Sequence, residues 1–234
     1  MAGQVAESKP PLSTQQRVYF DEDQENCISL AVDINVAGCA SPLKEIKHPE
    51  LPFEKRLFSI RTPQGEGWGL QKETSESVLF GKIIAKTHTV TAYIIEESAA
   101  PDFDNAEDFY NYYKITLSTN AYPDRYKLLK FEHAKDATYG DFSMRYVLTA
   151  EDHKAPNAPG NTPLIIKYKG YIIVLPEKYG LIAMFYSERG LAEEMLPDFE
   201  ATAEEFIQGL KIRVNGKYFT EYNAIAEEIK LNKK

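Results

Sequence analysis

The residues best suited to chemistry form the segment Ser187-Glu188-Arg189, which places a hydroxyl, a carboxylate and a guanidinium side by side. The segment ends an apolar run over 181–187 that is typical of a strand. A strand end can present such side chains to a polar ligand. An alternative is that Glu188 and Arg189 pair with their neighbours at the surface, where an ion pair contributes about 0 to 1 kcal/mol.

Trp68 and His88 complete the candidate ligand-binding set. Trp68 follows Gly65-Glu66-Gly67, which is not a phosphate loop, because it lacks the Lys-Ser/Thr ending and no helical pattern follows it. This segment predicts a tight turn that Trp68 pins to the core, or a pocket that Trp68 lines. His88 falls on an apolar strand face with Val90, which favours an interior histidine with a satisfied hydrogen bond over a ligand.

Evidence for catalysis is weaker than the evidence for ligand binding. No two histidines have the HxxxH or HxH spacing of a metal site, although a distributed zinc site stays open. There is no G-x-S-x-G motif, and the carboxylates Asp104, Glu107 and Asp108 suit a helix start. We therefore predict no catalytic residue, no metal and no cofactor, and a hydrolase with a scattered site is the least favoured alternative.

Cys39 is a candidate for lipid attachment. Val36-Ala37-Gly38-Cys39 has the form of a bacterial lipobox, and Ser41-Pro42 resembles the start of a linker after such an anchor. Asp33 interrupts the preceding apolar segment, and residues 21–25 are acidic where a signal peptide should be basic. Two hypotheses stay open: an envelope lipoprotein, or a cytoplasmic protein in which Cys39 is an ordinary thiol. Pairing of Cys27 with Cys39 is also open.

Composition restricts the class of partner. The chain has 234 residues, 43% of them hydrophobic, and a net charge of -8. An acidic chain without a basic cluster repels the phosphate backbone, so nucleic-acid binding is disfavoured. The longest apolar stretch, 164–175, is interrupted by Lys167 and Lys169 and is too short to span a bilayer. Contact with a membrane is therefore expected only through a lipid on Cys39.

Local patterns predict one domain at 53–234 after an arm and linker at 1–52, where prolines and polar residues dominate. Asp104 and Glu107 predict a capped helix in the middle of the chain. Two further helices are expected near the C-terminus, one after Pro197 and one over 222–231. Strands are predicted at 57–61, 78–80, 83–95, 126–133, 139–149, 164–175 and 181–187.

Successive strands with few helices between them indicate antiparallel pairing. The predicted fold class is thus α+β, an antiparallel β-sheet packed with a middle helix and one or two C-terminal helices.

Three motifs carry a family resemblance: an F-x-I-x-x-P…G-W pattern, an E-D-F helix and an F-I-x-G-L ending. They occur at Phe58, Ile60, Pro63, Gly67 and Trp68, at Glu107-Asp108-Phe109, and at 206–210. In this order they resemble the PsbP-like fold, and the chain looks like bacterial envelope lipoproteins that carry such a domain after a short linker. The resemblance covers residues 53–213. It implies a fold and assigns no role to any residue.

These observations favour a non-enzymatic accessory or protein-binding domain, with membrane tethering through Cys39 as part of the hypothesis. The alternative is a small-ligand-binding domain that uses the sheet face near Trp68, His88 and Ser187. An apolar pocket with converging polar groups would favour the ligand-binding domain, and an exposed apolar patch would favour the protein-binding domain. The sequence determines neither the partner nor the oligomeric state.

Overall fold

The structure is a computed structural model. It describes residues 43–46, 50–51, 56–97, 101–118, 125–155, 158–176 and 179–231. These residues form two antiparallel sheets and three α-helices, which confirms the predicted α+β class with a middle helix and two C-terminal helices. Cys27 and Cys39 lie outside the described residues.

The described strands are connected so that most neighbours in sequence are also neighbours in space. The larger sheet has the order β3-β4-β5-β9-β8-β7-β6, and the smaller has the order β1-β2-β10-β11. The strands are β1 (Glu50–Leu51), β2 (Phe58–Arg61), β3 (Trp68–Glu73), β4 (Ser77–Ile83), β5 (Thr89–Glu97), β6 (Tyr126–Lys135), β7 (Ser143–Asp152), β8 (Leu164–Val174), β9 (Leu181–Gly190), β10 (Leu210–Val214) and β11 (Lys217–Phe219).

The three helices are α1 (Ala106–Ser118), α2 (Phe199–Gln208) and α3 (Tyr222–Leu231). The side-chain carbonyl of Asn105 accepts a 3.0 Å hydrogen bond from the backbone amide of Asp108. Asn105, and not Asp104 as the sequence suggested, therefore caps α1. Asp and Asn are about equally good caps, so the sequence pattern could not choose between adjacent positions. None of the three helices has the length and apolarity that a membrane crossing requires.

Strand β9 lies in the middle of the larger sheet, and all ten of its residues are buried. Its even-numbered side chains, such as Met184, join a core with α2, the smaller sheet and α3; we call this side the α2 face. The first odd-numbered side chains, such as Leu181, pack with Phe109 and Tyr113 of α1, so we call the other side the α1 face. Both faces of β9 are thus in the interior of a layered α+β domain.

The predicted strand over 83–95 is wrong at its start. The chain reverses direction between β4 and β5, where the Ile84 amide donates to the His88 carbonyl at 2.9 Å. Ile84 is 41% exposed, whereas Val90, Ala92 and Ile94 are buried in the core as predicted. Residues 84–87 contain no glycine, proline, asparagine or aspartate, so the usual signals of a turn are missing.

The smaller sheet was also missed at its C-terminal side. Leu210 continues the helical spacing of Phe206 and Ile207, which predicts that it belongs to the second helix, but α2 ends at Gln208 and Leu210 begins β10. Leu210, Ile212 and Val214 alternate inward and are buried. A short strand directly after a helix extends the apolar pattern by one residue, and this hides the change of period.

Hydrogen bonding with the sheets begins before the predicted domain start at residue 53. The backbone of Lys44 exchanges hydrogen bonds of 2.9 and 2.8 Å with Leu70 of β3. Leu51 pairs with Ile60 in the smaller sheet. Gly69 permits the first of these contacts, since a Cβ there would lie 2.5 Å from the Cβ of Leu43.

Candidate functional site

The predicted polar segment Ser187-Glu188-Arg189 lies near the end of β9, and all three side chains are buried. Because side chains alternate along a strand, Glu188 lies on the α2 face while Ser187 and Arg189 lie on the α1 face. The alternative that Glu188 and Arg189 form surface ion pairs is wrong. The two residues are 0% and 1% exposed, and their partners belong to different faces.

On the α2 face, Glu188 is paired with His88. The Nε2 atom of His88 lies 2.7 Å from Oε1 of Glu188, and both side chains are at most 4% exposed. The same oxygen accepts a 2.6 Å hydrogen bond from the backbone amide of Leu196. Within the described residues, no donor bonds the second carboxylate oxygen of Glu188. The pair therefore links the end of the β4–β5 turn to the segment between β9 and α2.

Glu194 forms further hydrogen bonds next to the pair of His88 and Glu188. Its carboxylate accepts hydrogen bonds from the Thr87 hydroxyl at 2.9 Å and from the Leu191 amide at 3.0 Å. A Cβ on Gly190 would lie 3.1 Å from Cδ2 of His88 and 3.5 Å from Oε2 of Glu194. Absence of a side chain at residue 190 thus lets the imidazole reach Glu188.

This arrangement has the carboxylate–histidine geometry that can hold an imidazole in one tautomer. Catalysis by such a pair also requires a nucleophile or substrate within hydrogen-bond reach of the imidazole. The contacts around His88 and Glu188 are instead the backbone amide of Leu196 and tightly packed chain. The pair acts as an internal cross-link. In the described ranges, no three His, Cys, Asp or Glu side chains are arranged to hold a metal ion.

Trp68 begins β3 and packs against the core of the α2 face. Its ring centroid lies 5.9 Å from that of Tyr186, which in turn contacts Phe199 and Phe206 of α2. Burial raises the pKa of the Tyr186 phenol well above its ordinary value. Trp68 therefore occupies the position expected of a residue that pins the preceding turn to the core.

On the α1 face, Arg189 belongs to a charged network. Its Nη1 atom lies 3.7 Å from Oδ2 of Asp152, a side chain with no exposed surface. Arg125 donates to both carboxylate oxygens of Asp152, at 3.0 and 2.8 Å. The Ser187 and Thr91 hydroxyls form a separate hydrogen bond of 2.5 Å.

Asp152 is a residue that the sequence argument missed, although a signal was present. Met144, Tyr146 and Ala150 alternate along one face of β7 and are buried. Asp152 continues the same alternation at the end of the strand, so the pattern places a carboxylate on an apolar face. Such a carboxylate needs a cationic partner, which predicts a buried ion pair.

The five predicted ligand-binding residues do not line one surface. Trp68, His88 and Glu188 lie on the α2 face, while Ser187 and Arg189 lie on the opposite side of the same sheet. Apart from the half-buried Trp68, all are at most 3% exposed. The structure therefore resolves the set into two enclosed networks with separate partners.

A cleft of about 690 Å³ lies elsewhere, between α3, the segment before α1 and the connection from β8 to β9. Its volume falls within the roughly 300–1,000 Å³ of typical ligand pockets. We call it the α1–α3 cleft. Its lining is apolar at Pro101, Phe103, Phe142, Val174, Leu175, Pro176, Tyr222 and Ala226, and polar at Asp102, Asn223, Glu227 and Lys230.

Aromatic packing builds the walls of this cleft. Phe103 contacts Phe109 of α1 edge to face, with ring centroids 5.4 Å apart, and Phe109 makes a similar contact with Phe142. Gly140 has a φ of +96°, and a Cβ there would lie 2.4 Å from the ring of Tyr222. Glycine at this position thus accommodates both the backbone conformation and the first residue of α3.

Comparison with known proteins identifies no family. No family model matches the sequence, and no curated protein matches it. A Bacteroides thetaiotaomicron crystal structure aligns with a TM-score of 0.37 and 16% identity, over 74% of this chain and 51% of that one. This chain thus spans about half the length of that protein.

The Saccharomyces cerevisiae Ran-binding protein Mog1p aligns with a TM-score of 0.41 and 7% identity, over 70% of this chain and 94% of its own. At these scores neither alignment carries an argument about fold or function. The PsbP-like resemblance stays a prediction.

Proposed function

We propose that this chain is a non-enzymatic protein-binding domain and that the α1–α3 cleft receives a short apolar segment of a partner protein. The observation that supports this function is the cleft itself, which joins an apolar lining to a charged rim. Protein-binding surfaces commonly combine an apolar centre with a polar rim. The histidine and carboxylate pair that could suggest chemistry is enclosed in the core.

The rim favours a partner segment that carries a basic residue. Asp102, Glu227 and Lys230 are the charged residues around the cleft, and all three are exposed. The two carboxylates give this rim a net negative charge, in line with the charge of -8 for the chain. Rim charges contribute mainly to orientation and to the rate of association, while the apolar lining supplies the affinity.

The test is a selection of random peptides displayed on phage, followed by titration of the selected peptides. Ala226→Trp fills the cleft from α3, and Ile115→Trp adds the same side chain at a 60% exposed position of α1 outside the cleft. We expect apolar peptides that bind Ala226→Trp at least about tenfold more weakly and bind Ile115→Trp as they bind the wild type. Peptides that bind all three proteins equally, or no selected peptide, would contradict the proposal.

A second candidate is a small-molecule ligand in the same cleft, which the volume of about 690 Å³ allows. The site predicted near Trp68, His88 and Ser187 is less suitable, because His88 and Ser187 are each only 3% exposed. Screening small aromatic and aliphatic fragments by NMR distinguishes the two candidates. Fragment shifts confined to the cleft, without peptide binding, would favour the small ligand.

Tethering to a membrane through Cys39 is a separate part of the proposal. It rests on the lipobox form of Val36 to Cys39 in the sequence. Each buried methylene of an acyl chain adds about 0.8 kcal/mol of membrane affinity, so several chains on one cysteine anchor stably. Intact-mass measurement on protein from a native bacterial membrane fraction should show a lipidated chain that begins at Cys39. An unmodified chain that retains earlier residues would refute the lipid and favour a cytoplasmic protein.

A further inference from the structure

Strand β6 forms one edge of the larger sheet, and in the described part of the chain its outer side pairs with no strand. Eight of its ten residues are exposed. At the opposite edge, Lys44 bonds to Leu70 and covers part of β3. An open edge strand presents a row of backbone donors and acceptors that another extended chain can use.

The side chains of β6 make this edge cationic on an acidic protein. The strand contains three lysines, Lys127, Lys130 and Lys135, and one carboxylate, Glu132. Lys127 contacts Glu151 at 3.2 Å and Lys130 contacts Glu132 at 2.9 Å, and both lysine side chains are more than half exposed. Exposed pairs of this kind are weak, so a partner's carboxylates can replace them.

A bulge and two leucines complete the surface. Leu128 pairs with Ala150, and Lys130 pairs with Thr149, so Leu129 has no ladder partner in β7. Leu128 and Leu129 are 37% and 48% exposed and offer apolar contacts next to the lysines. Lysines and a bulge are the features that keep edge strands from pairing with copies of themselves.

We propose that the β6 edge binds an extended acidic segment of another protein, which adds a strand to the larger sheet. The lysines that repel a second β6 attract a strand that carries carboxylates, so the same charges select the partner. Backbone hydrogen bonds supply the pairing and the lysines supply the specificity. This inference does not depend on occupancy of the α1–α3 cleft.

The probe is a short synthetic peptide in which glutamate alternates with valine, and its control has lysine in place of glutamate. We expect the acidic peptide to bind at least about tenfold more tightly than the basic one, with an affinity that falls as salt rises. Amide hydrogen exchange should slow along β6 in the complex, which backbone pairing produces and diffuse charge attraction does not. Absence of binding, or binding without protection of β6, would overturn the proposal.

Matched variants locate the effect. Lys130→Glu reverses a charge on β6, and Lys86→Glu makes the same change on the exposed β4–β5 turn. Leu129→Pro replaces the bulge residue, which has no ladder partner in β7, with a residue that has no backbone amide. Lys130→Glu and Leu129→Pro should each weaken binding of the acidic peptide about tenfold, while Lys86→Glu should leave this affinity unchanged. Equal losses in Lys130→Glu and Lys86→Glu, or dimers of the free protein that Leu129→Pro abolishes, would overturn the proposal.

Discussion

The two faces of β9 show how adjacent residues enter different environments. On the α2 face, Glu188 meets His88, one hundred residues earlier in the chain, through a hydrogen-bonded pair. On the α1 face, Arg189 lies by Asp152, which Arg125 also binds. Both networks are buried, but the first joins an imidazole to one carboxylate, and the second places two guanidinium groups around one carboxylate.

This difference determines how much stability the fold loses when one partner of each network is removed. A guanidinium stays charged at all accessible pH values, so loss of its carboxylate leaves a charge in the core. A histidine can remain neutral, so loss of Glu188 leaves an unsatisfied hydrogen-bonding group, which costs less. We therefore expect the α1 face to be more sensitive than the α2 face to removal of one partner.

The largest effect should come from Asp152→Asn. It removes the carboxylate that lies beside the guanidinium groups of Arg125 and Arg189, and breaking such a buried pair costs about 3 to 5 kcal/mol. Urea denaturation measures the loss in the free energy of unfolding. Glu151→Gln, one residue earlier, breaks a pair with the exposed Lys127 and should leave the free energy of unfolding close to that of the wild type. Equal losses in the two variants would contradict the proposed role of Asp152.

The next effect concerns His88 and Glu188. His88→Leu and Glu188→Leu should each cost about 1 to 3 kcal/mol, because each removes one half of a buried hydrogen-bonded pair. The double variant should lose less than the sum of the single variants, with a coupling of about 0.5 to 3 kcal/mol. Denaturation of all four proteins measures this coupling. Additive losses would show that the two residues stabilise the fold independently.

Arg145 offers a half-buried reference on the α2 face, where it contacts Asp136 and Glu204. Burial alone would raise the pKa of each carboxyl, but hydrogen bonds outweigh it and lower both pKa values. At Asp136 these hydrogen bonds come from Thr138 and Arg145, and at Glu204 they come mainly from Arg145. Their contribution is therefore present above the ordinary carboxyl pKa values and is lost as the pH falls through the lowered ones.

Arg145→Met should cost about 1 to 2 kcal/mol at neutral pH and less in acid. Denaturation at a series of pH values measures the difference between the two proteins. A difference that stays constant as the pH falls would contradict a role for the ionised carboxylates.

The smallest effect should come from Ser187→Ala. It removes one hydroxyl of the buried pair with Thr91 and should cost about 1 kcal/mol. Ser187→Ala combined with Thr91→Val removes both hydroxyls and should be close to neutral, because no polar group is left unsatisfied. Thermal denaturation of the two variants checks this order. A double variant that is less stable than the single variant would assign the cost to packing.

Local sequence patterns determined most of the secondary structure. The last helix was predicted at 222–231 and occurs at Tyr222–Leu231. Alternation identified β7, and a continuous apolar run identified β9. Such patterns succeed because the period of apolar residues reflects which side of an element is buried. They also predicted the α+β class and the burial of His88, since an apolar face imposes its environment on every side chain it contains.

Only the tertiary structure decided which groups meet. The members of each network come from strands and turns that are distant in sequence. This holds for the pair of His88 with Glu188 and for the group of Arg125, Asp152 and Arg189. The α1–α3 cleft likewise combines several separate segments of the chain. Strand order and register bring these residues together, and a polar side chain carries no local signal of its partner. The sequence thus determined most of the elements and their buried sides, while packing of the two described sheets and three helices decided the contacts and the candidate binding surfaces.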